Sequence, residues 1–399
     1  MEDQTTTPEL RLLPGRHKRV RAGHPWVFSN EIAMDPRVRA LPPGGIVRLA
    51  AASGEFLGLA GFNPHTLIAA RIFSRAAGAT IDRRFLAGRF AAALALRERL
   101  YPGGFYRLVH AEADGLPGIV VDRYGGTLSV QFNTATAERL RGDALAALAD
   151  AVGPVRIVLR NDSPSRVLEG LPLVVEAAPG DGEAAPLEIH ENGAVFLADP
   201  GAGQKTGWFF DQRENRARVA ALAAGARVLD AYCYAGGFGV LAASRGAREA
   251  VLLDRSQAAL DLAMEAARRN GVADRCAPRR GEAFAELERM AAAGERFDIV
   301  VTDPPAFVKS RKDLGAGVRG YRKLARLGAA LTAPGGLLFA ASCSHHVEPA
   351  VFAAEVARGI EDAGRAGRVL ASTGAAMDHP VHPFLPESAY LKALLLQLD

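Results

Sequence analysis

ARVLDAYCYAGGFG, residues 226–239, runs from an apolar strand into a glycine-rich turn and on into a helix. Asp230 closes the strand, and Gly236 and Gly237 open the helix. Lacking a Cβ, glycine lets backbone amides approach a ligand closely, and a helix N-terminus attracts polar groups. The spacing is not the dinucleotide fingerprint G-x-G-x-x-G, which disfavours a nicotinamide cofactor. Taken alone, the stretch also reads as a tight strand–helix turn.

Its neighbours carry the reading further. Strand EAVLLD leads to helix SQAALDLAMEAARRNG, whose terminal Asn270-Gly271 suits a helix C-cap. A strand near RCAPRR precedes helix EAFAELERMAAAG, and strand FDIVVTD precedes a loop and a helix. Strand GGLLFAASC precedes helix EPAVFAAEVARGIEDAG. RVLASTG and AYLKALLLQL add two strand-like runs with proline-rich turns between them. Strands alternating with helices build a parallel, doubly wound sheet, so the fold class is α/β.

Upstream the rhythm is different. Residues 1–80 hold short β-like runs, GGIVRLAAA, EFLGLAGF and TLIAARIF, which predict a small β-barrel. Residues 81–188 begin with IDRRFLAGRFAAALALRERL, a helical pattern with Asp82 as its cap. The strands YRLVHAEADG, GIVVDRYGG and TLSVQF follow, then an alanine-rich helix and RIVLR, an α+β arrangement. EAAPGDGEAAP, 176–186, reads as the linker to a last domain at 189–399.

In an open parallel sheet, ligands collect at the carboxyl ends of the strands. Asp254 ends the second strand, 24 positions after Asp230, where an acid can accept from ribose hydroxyls. Helix capping by Asp254 or Ser256 is the plainer alternative. Glu282, in RRGEAF, either meets an adenine edge or simply begins the next helix. Asp303 ends FDIVVTD, and the prolines Pro304 and Pro305 then force an extended loop toward Phe307. An acid, a rigid turn and an aromatic make a shelf for a planar base, and such stacking is worth about 1–3 kcal/mol. Cys343 ends the following strand, so it and Asp303 are expected to face one cleft. Cys233 and Cys276 read as buried structural cysteines.

The 399 residues suit two or three domains. Three cysteines cannot form a disulfide framework, and no apolar stretch reaches bilayer length. The N-terminus has no hydrophobic signal core, so a cytoplasmic location is expected. No zinc-type ligand spacing is visible, and His379 and His382 fall in a proline-rich turn, so no metal is expected. Net charge is only +4, but Arg11, Arg16, Lys18, Arg19 and Arg21 cluster without an acid, as phosphate-backbone contacts require. A solvated basic surface is the bland alternative.

Seven blocks in order resemble the RlmI-like class I S-adenosylmethionine-dependent ribosomal RNA methyltransferases: HPWVFSNEI, EADGLPGIVVDRYG, GQKTGWFFDQRENR, DAYCYAGGFG, DPPAFVKS, SCSHH and HPFLPESAYLK. The resemblance implies an N-terminal PUA barrel, a central α+β domain and a C-terminal Rossmann-like domain with a seven-stranded, mostly parallel sheet. It implies S-adenosylmethionine as cofactor, with Asp230, Gly236 and Gly237 at its methionine end, Asp254 on the ribose and Glu282 toward adenine. Tyr232, Phe238, Arg255, Ser256, Ala283, Asp303 and Pro304 complete the expected contacts. Phe209, Asp211, Gln212 and Arg213 form a pocket wall. The family usually has Asp at position 282 and Gly at position 388, so Glu282 and Ser388 depart from its pattern.

The family makes 5-methylcytosine in 23S ribosomal RNA. That reaction implies Cys343 as nucleophile at C6 of the base, with Asp303 holding the cytosine at N3 or N4. The base that removes the C5 proton is open between Asp303 and water. His345 and His346 are candidates to lower the thiol pKa, although adjacent histidines point apart on most backbones. Pro305, Phe307 and Lys309 are expected on the substrate, and Arg16, Lys18, Arg19 and Trp26 on RNA backbone. The expected partner is 23S ribosomal RNA or an assembling large subunit, with homodimerisation left open. A guanine-nitrogen methyltransferase, which needs no thiol, and a non-catalytic RNA-binding assembly factor are the alternatives.

Overall fold

The computed structural model describes residues 7–153, 155–177, 186–199 and 207–399. Of the expected linker, residues 178–185 lie outside the described residues, as do 203–206 of the GQKTGWFF stretch. The chain divides into two compact units. One is Met1–Ala185 with Asp199–Trp208 and Met377–Ser388; the other is Pro186–Ala198 with Phe209–Ala376 and Ala389–Asp399.

The second unit is built on seven strands: β1 (Arg227–Ala231), β2 (Glu249–Asp254), β3 (Cys276–Arg280), β4 (Phe297–Thr302), β5 (Thr332–Ser342), β6 (Gly367–Thr373) and β7 (Lys392–Leu398). Their order is β3-β2-β1-β4-β5-β7-β6, and β7 alone runs antiparallel to its neighbours. The chain winds outward from β1 to β3, then returns to β4 on the other side of β1. This reversal is the topological switch point at which open sheets bind ligands. The helices are α1 (Arg213–Ala220), α2 (Gly237–Ser244), α3 (Gln257–Arg269), α4 (Ala283–Ala292), α5 (Leu314–Leu331) and α6 (Pro349–Asp362).

Strands covered on both faces need apolar side chains at successive positions. Leu229, Val300 and Leu338 enter one core cluster with Leu253, Leu324 and Phe352. Their neighbours Val228, Ile299 and Phe339 enter the opposite cluster with Phe238. That split is the two-residue alternation of a strand. Ser256 caps α3 by accepting from Ala259 N at 3.3 Å, and Gly271 follows its C-cap with φ of 67°.

Two elements of this unit were not foreseen: the hairpin Leu187–Glu191/Ala194–Ala198 and helix α1. Glu191 of the hairpin is buried and accepts from both Arg213 and Arg216 of α1. A buried carboxylate is stable there because two guanidiniums and their hydrogen bonds replace its water.

The first unit holds two five-stranded sheets. Strands Glu9–Arg11, Trp26–Phe28, Gly45–Ala50, Phe56–Phe62 and Ile68–Ser74 make the first, around Leu10, Val27, Leu49 and Phe62. In the second, Phe105–His110, Ile119–Tyr124, Thr127–Phe132, Arg156–Asn161 and Val174–Ala177 pair, and helix Arg83–Leu100 packs on it through Leu86 and Phe90. Asp82 caps that helix, accepting from Phe85 N at 2.9 Å. Asp378 is fully buried in this unit: its carboxylate accepts from Arg107 N at 2.9 Å and pairs with His379 at 2.8 Å. The Ser388 hydroxyl accepts from His382 N and donates to Leu385 O, closing the loop between them.

Candidate active site

Asp230 is buried at the end of β1, and its Oδ2 accepts from Gly239 N at 2.8 Å. That bond ties the acid to the first turn of α2. Its Oδ1 has no hydrogen-bond partner among the described residues. Burial pushes the carboxyl up to about 7, and the charges of Asp303 and Asp254 push the same way. Three acids from three strand ends therefore share one region of field.

The turn after β1 has an unusual backbone. Tyr232, Tyr234 and Gly236 all have positive φ, at 64°, 48° and 79°. Such conformations cost about 1–3 kcal/mol each at non-glycine residues and persist only where neighbours hold them. Here Cys233 N donates to Leu253 O at 3.0 Å, and Tyr234 N to Asp254 Oδ2 at 3.0 Å. A Cβ at Gly236 would lie 2.8 Å from Val240 and 2.9 Å from Ala263, so the position requires glycine for room as well as for φ.

Asp254 also accepts from Ser256 N at 2.9 Å, while the cap of α3 is made by Ser256. Arg255 is exposed between them. Glu282 occupies the N-cap position of α4 without a side-chain capping bond, and it is exposed above buried Ala283. Burial, Glu282 and Asp254 together push the Tyr232 phenol above its ordinary range, which places all three side chains in one neighbourhood. Phe209 meets Tyr234 edge-on, with 5.5 Å between ring centroids.

Asp303 follows β4 and Cys343 follows β5. The two strands are adjacent and parallel, with Thr302 opposite Ala340. Both residues are partly exposed. Pro304 is buried and Pro305 exposed; Phe307 lies 4.7 Å from the Tyr321 ring and 5.9 Å from Phe284. The Tyr321 hydroxyl hydrogen-bonds Ser344 Oγ at 2.7 Å, and Val308 N donates to that oxygen at 3.1 Å. The aromatic shelf and the cysteine loop are thus joined through one serine. Lys309 is exposed at the shelf's edge. Cys233 and Cys276 are buried, and burial pushes both thiols up, that of Cys276 to about 11.

Other expected residues make the following contacts. The Phe238 ring packs in the core against Phe339. Gln212 is buried and accepts from Asn215 at 2.6 Å, and Arg213 is held by Glu191. Asp211 is buried and accepts from the Tyr390 hydroxyl. In the first unit Arg16 and Lys18 are exposed, but Arg19 donates to Glu31 at 2.8 Å and Trp26 Nε1 to Glu112 at 2.8 Å.

Sequence reading missed Tyr321, Tyr390 and Lys392, which bond to or stack on the segment after Cys343, and Ser344 within it. Tyr321 sits in an amphipathic helix, where an aromatic reads as core. Lys392 carried a signal, since it is the one charge in strand KALLLQL.

The sheet order, with an acid row at the switch point, defines an S-adenosylmethionine-dependent methyltransferase fold. The family model for S-adenosylmethionine-dependent methyltransferases matches residues 173–397, and that for PUA-like domains matches residues 10–75. Two Ribosomal RNA large subunit methyltransferase I sequences are similar over nearly their full length. That of Shewanella amazonensis is 37% identical, covering 98% of this chain and 99% of the relative; that of Erwinia tasmaniensis is 36% identical, covering 97% and 98%. A putative S-adenosylmethionine-dependent methyltransferase structure from Streptococcus mutans superposes with a TM-score of 0.82 at 20% identity, covering 98% of this chain and all of that one. A putative methyltransferase complexed with S-adenosylhomocysteine gives 0.84 at 19% identity, with the same coverage. The chain belongs to the ribosomal RNA large subunit methyltransferase I family, and its cofactor is S-adenosylmethionine. The residues present fit that group. Asp230 Oδ1 is a buried acceptor in want of a donor or cation, and Asp254 and Glu282 stand where hydroxyl and amino donors can reach.

Proposed function

We propose that the protein methylates C5 of a cytosine in 23S ribosomal RNA through a covalent Cys343–C6 adduct. The observation that carries this reading is the partly exposed Cys343 just after the strand adjacent to the one that Asp303 follows, while the other two cysteines are buried. The relatives' name supports ribosomal RNA as the substrate. The division into a PUA-like barrel at 1–80, a central domain at 81–188 and a methyltransferase domain at 189–399 belongs to this proposal, as does a cytoplasmic location.

Cytosine C5 is a weak nucleophile. The Cys343 thiolate adds to C6, forming the S–C6 bond and shifting the ring electrons to C5. When bound, S-adenosylmethionine supplies an electrophilic methyl group for that carbon. A base, Asp303 or a water it holds, then takes the C5 proton. The C5=C6 bond re-forms as the S–C6 bond breaks and the thiolate leaves. Asp303 accepts from the cytosine amino group, and Phe307 carries the face of the ring. Asp230, the turn 232–237, Asp254 and Glu282 hold the cofactor. The target base must be single-stranded or flipped out to reach Cys343.

The test is Cys343→Ala assayed on unmodified 23S ribosomal RNA, with nucleosides read by mass spectrometry. No 5-methylcytosine is expected. Undiminished 5-methylcytosine from this variant sinks the covalent mechanism, and methylguanosine as the wild-type product sinks the assignment to cytosine.

A further inference from the structure

Lys392 is 6% exposed, although it opens a strand whose other residues are uncharged. A buried ammonium is stable only if its surroundings replace water. In the antiparallel register of β5 and β7, Lys392 stands directly opposite Ser342. Its Nζ donates to Ser344 O and, at 3.1 Å, to Tyr390 O. The ammonium is therefore fixed between the carbonyl that follows Cys343 and one of its own segment. Two carbonyl acceptors favour the charged lysine. Burial lowers its pKa on balance, against the anionic forms of Cys343 and Glu348, which push it up. The field at Cys343 is thus coupled to this lysine through a loop that Tyr321 also grips at Ser344. The Tyr390 ring stacks on His345 at 5.2 Å, holding the same loop from its other end.

We propose that Lys392 is a positioning residue that keeps Cys343 as a thiolate: its ammonium charge stabilises the sulfur anion, and its hydrogen bonds to Ser344 and Tyr390 fix the loop that presents it. The assignment rests on Cys343 being the nucleophile. The thiol proton leaves to solvent, and Lys392 keeps its own. Other titratable groups around the loop, among the described residues, include Tyr390 just before β7, Tyr321 from α5, Asp303 after β4, His345 and His346 in the loop itself and Glu348 at the start of α6. Tyr321, Asp303 and Glu348 oppose a thiolate when ionised, and the Lys392 ammonium acts against them.

The test is the rate of iodoacetamide alkylation at Cys343 against pH, read by peptide mass spectrometry on the free full-length protein. It needs neither RNA nor cofactor. In the wild type, alkylation is expected to follow an apparent pKa below that of free cysteine, about 8.5. In Lys392→Gln the profile shifts upward, slowing alkylation near neutral pH about tenfold, one pKa unit's worth. Lys392→Arg, which keeps the charge, restores most of the rate. A wild-type pKa at or above that of free cysteine overturns the proposal, whether or not the variants fold. So does an unshifted profile in Lys392→Gln, or an Arg variant no faster than Gln. Methylation by Cys343→Ala is scored separately, so loss of the covalent reading is distinguishable from loss of this one.

Discussion

Burial at the end of β1 makes the Asp230 carboxyl a weak acid, with its midpoint moved from 3.8 to about 7. The sign of the stability effect follows from proton counting. Between those two values the folded chain keeps a proton that the unfolded chain has lost. The group's contribution is full below the lower value and is lost as pH rises through about 7. In the free protein, Asp230→Asn removes this dependence. Relative to wild type, the variant is expected to gain on the order of 2 kcal/mol on going from pH 5 to pH 8. Urea denaturation at both values measures the difference, and a gap that stays constant with pH rejects the explanation. The site thus holds an acid that weakens the fold near neutral pH, as is common where a ligand supplies the missing partner. Lys392, on a strand separated from β1 by two others, has the opposite history. Asp230 was legible because it ends a strand before glycines, whereas Lys392 acquires its place only through the β5–β7 register, which brings position 392 to position 342. No local pattern encodes that pairing.

At the scale of elements, the turn before α2 shows how backbone geometry supports a site. Gly236 combines φ of 79° with contacts that leave no room for a methyl group. Gly236→Ala is expected to destabilise the protein by about 1–3 kcal/mol through strain and overlap. It should also weaken S-adenosylhomocysteine binding about tenfold or more, since the loop that carries Tyr232 and Tyr234 must move. Denaturation and calorimetric titration report the two effects, and unchanged binding in a folded variant shows that the turn does not shape the pocket. All seven strands of this sheet were readable, because runs such as FDIVV end at sharp polar or glycine signals. Helix α1 was not. Its sequence, RENRARVA, looks like a solvated face, and its arginines are buried only because Glu191, at least 22 positions earlier, meets them. Gln212 and Arg213 likewise bond inward, to Asn215 and Glu191.

At the scale of the whole molecule, the two units contain separate cores, so one cooperative transition is not expected for the chain. The residues Met377–Ser388 follow β6 in sequence but count with the first unit. Asp378 is their anchor. Its backbone oxygen accepts from Arg97 at 3.0 Å, its carboxylate accepts from Arg107 N, and Arg97 also binds Asp114 through both carboxylate oxygens. Arg97 and Asp378 are both 0% exposed, and removing the carboxylate leaves the Arg107 amide and His379 without this acceptor. Asp378→Ala is expected to weaken this part of the first unit by about 2–4 kcal/mol. Hydrogen exchange separates a local effect from a global one. Peptides spanning Phe105–His110 should exchange faster, by a factor that grows with the lost free energy, because the Arg107 amide loses its partner. Peptides from β1 and β2 should keep their wild-type rates. Equal acceleration in both units means that Asp378 holds the chain together as one cooperative body, and no acceleration means that water replaces the carboxylate at no cost.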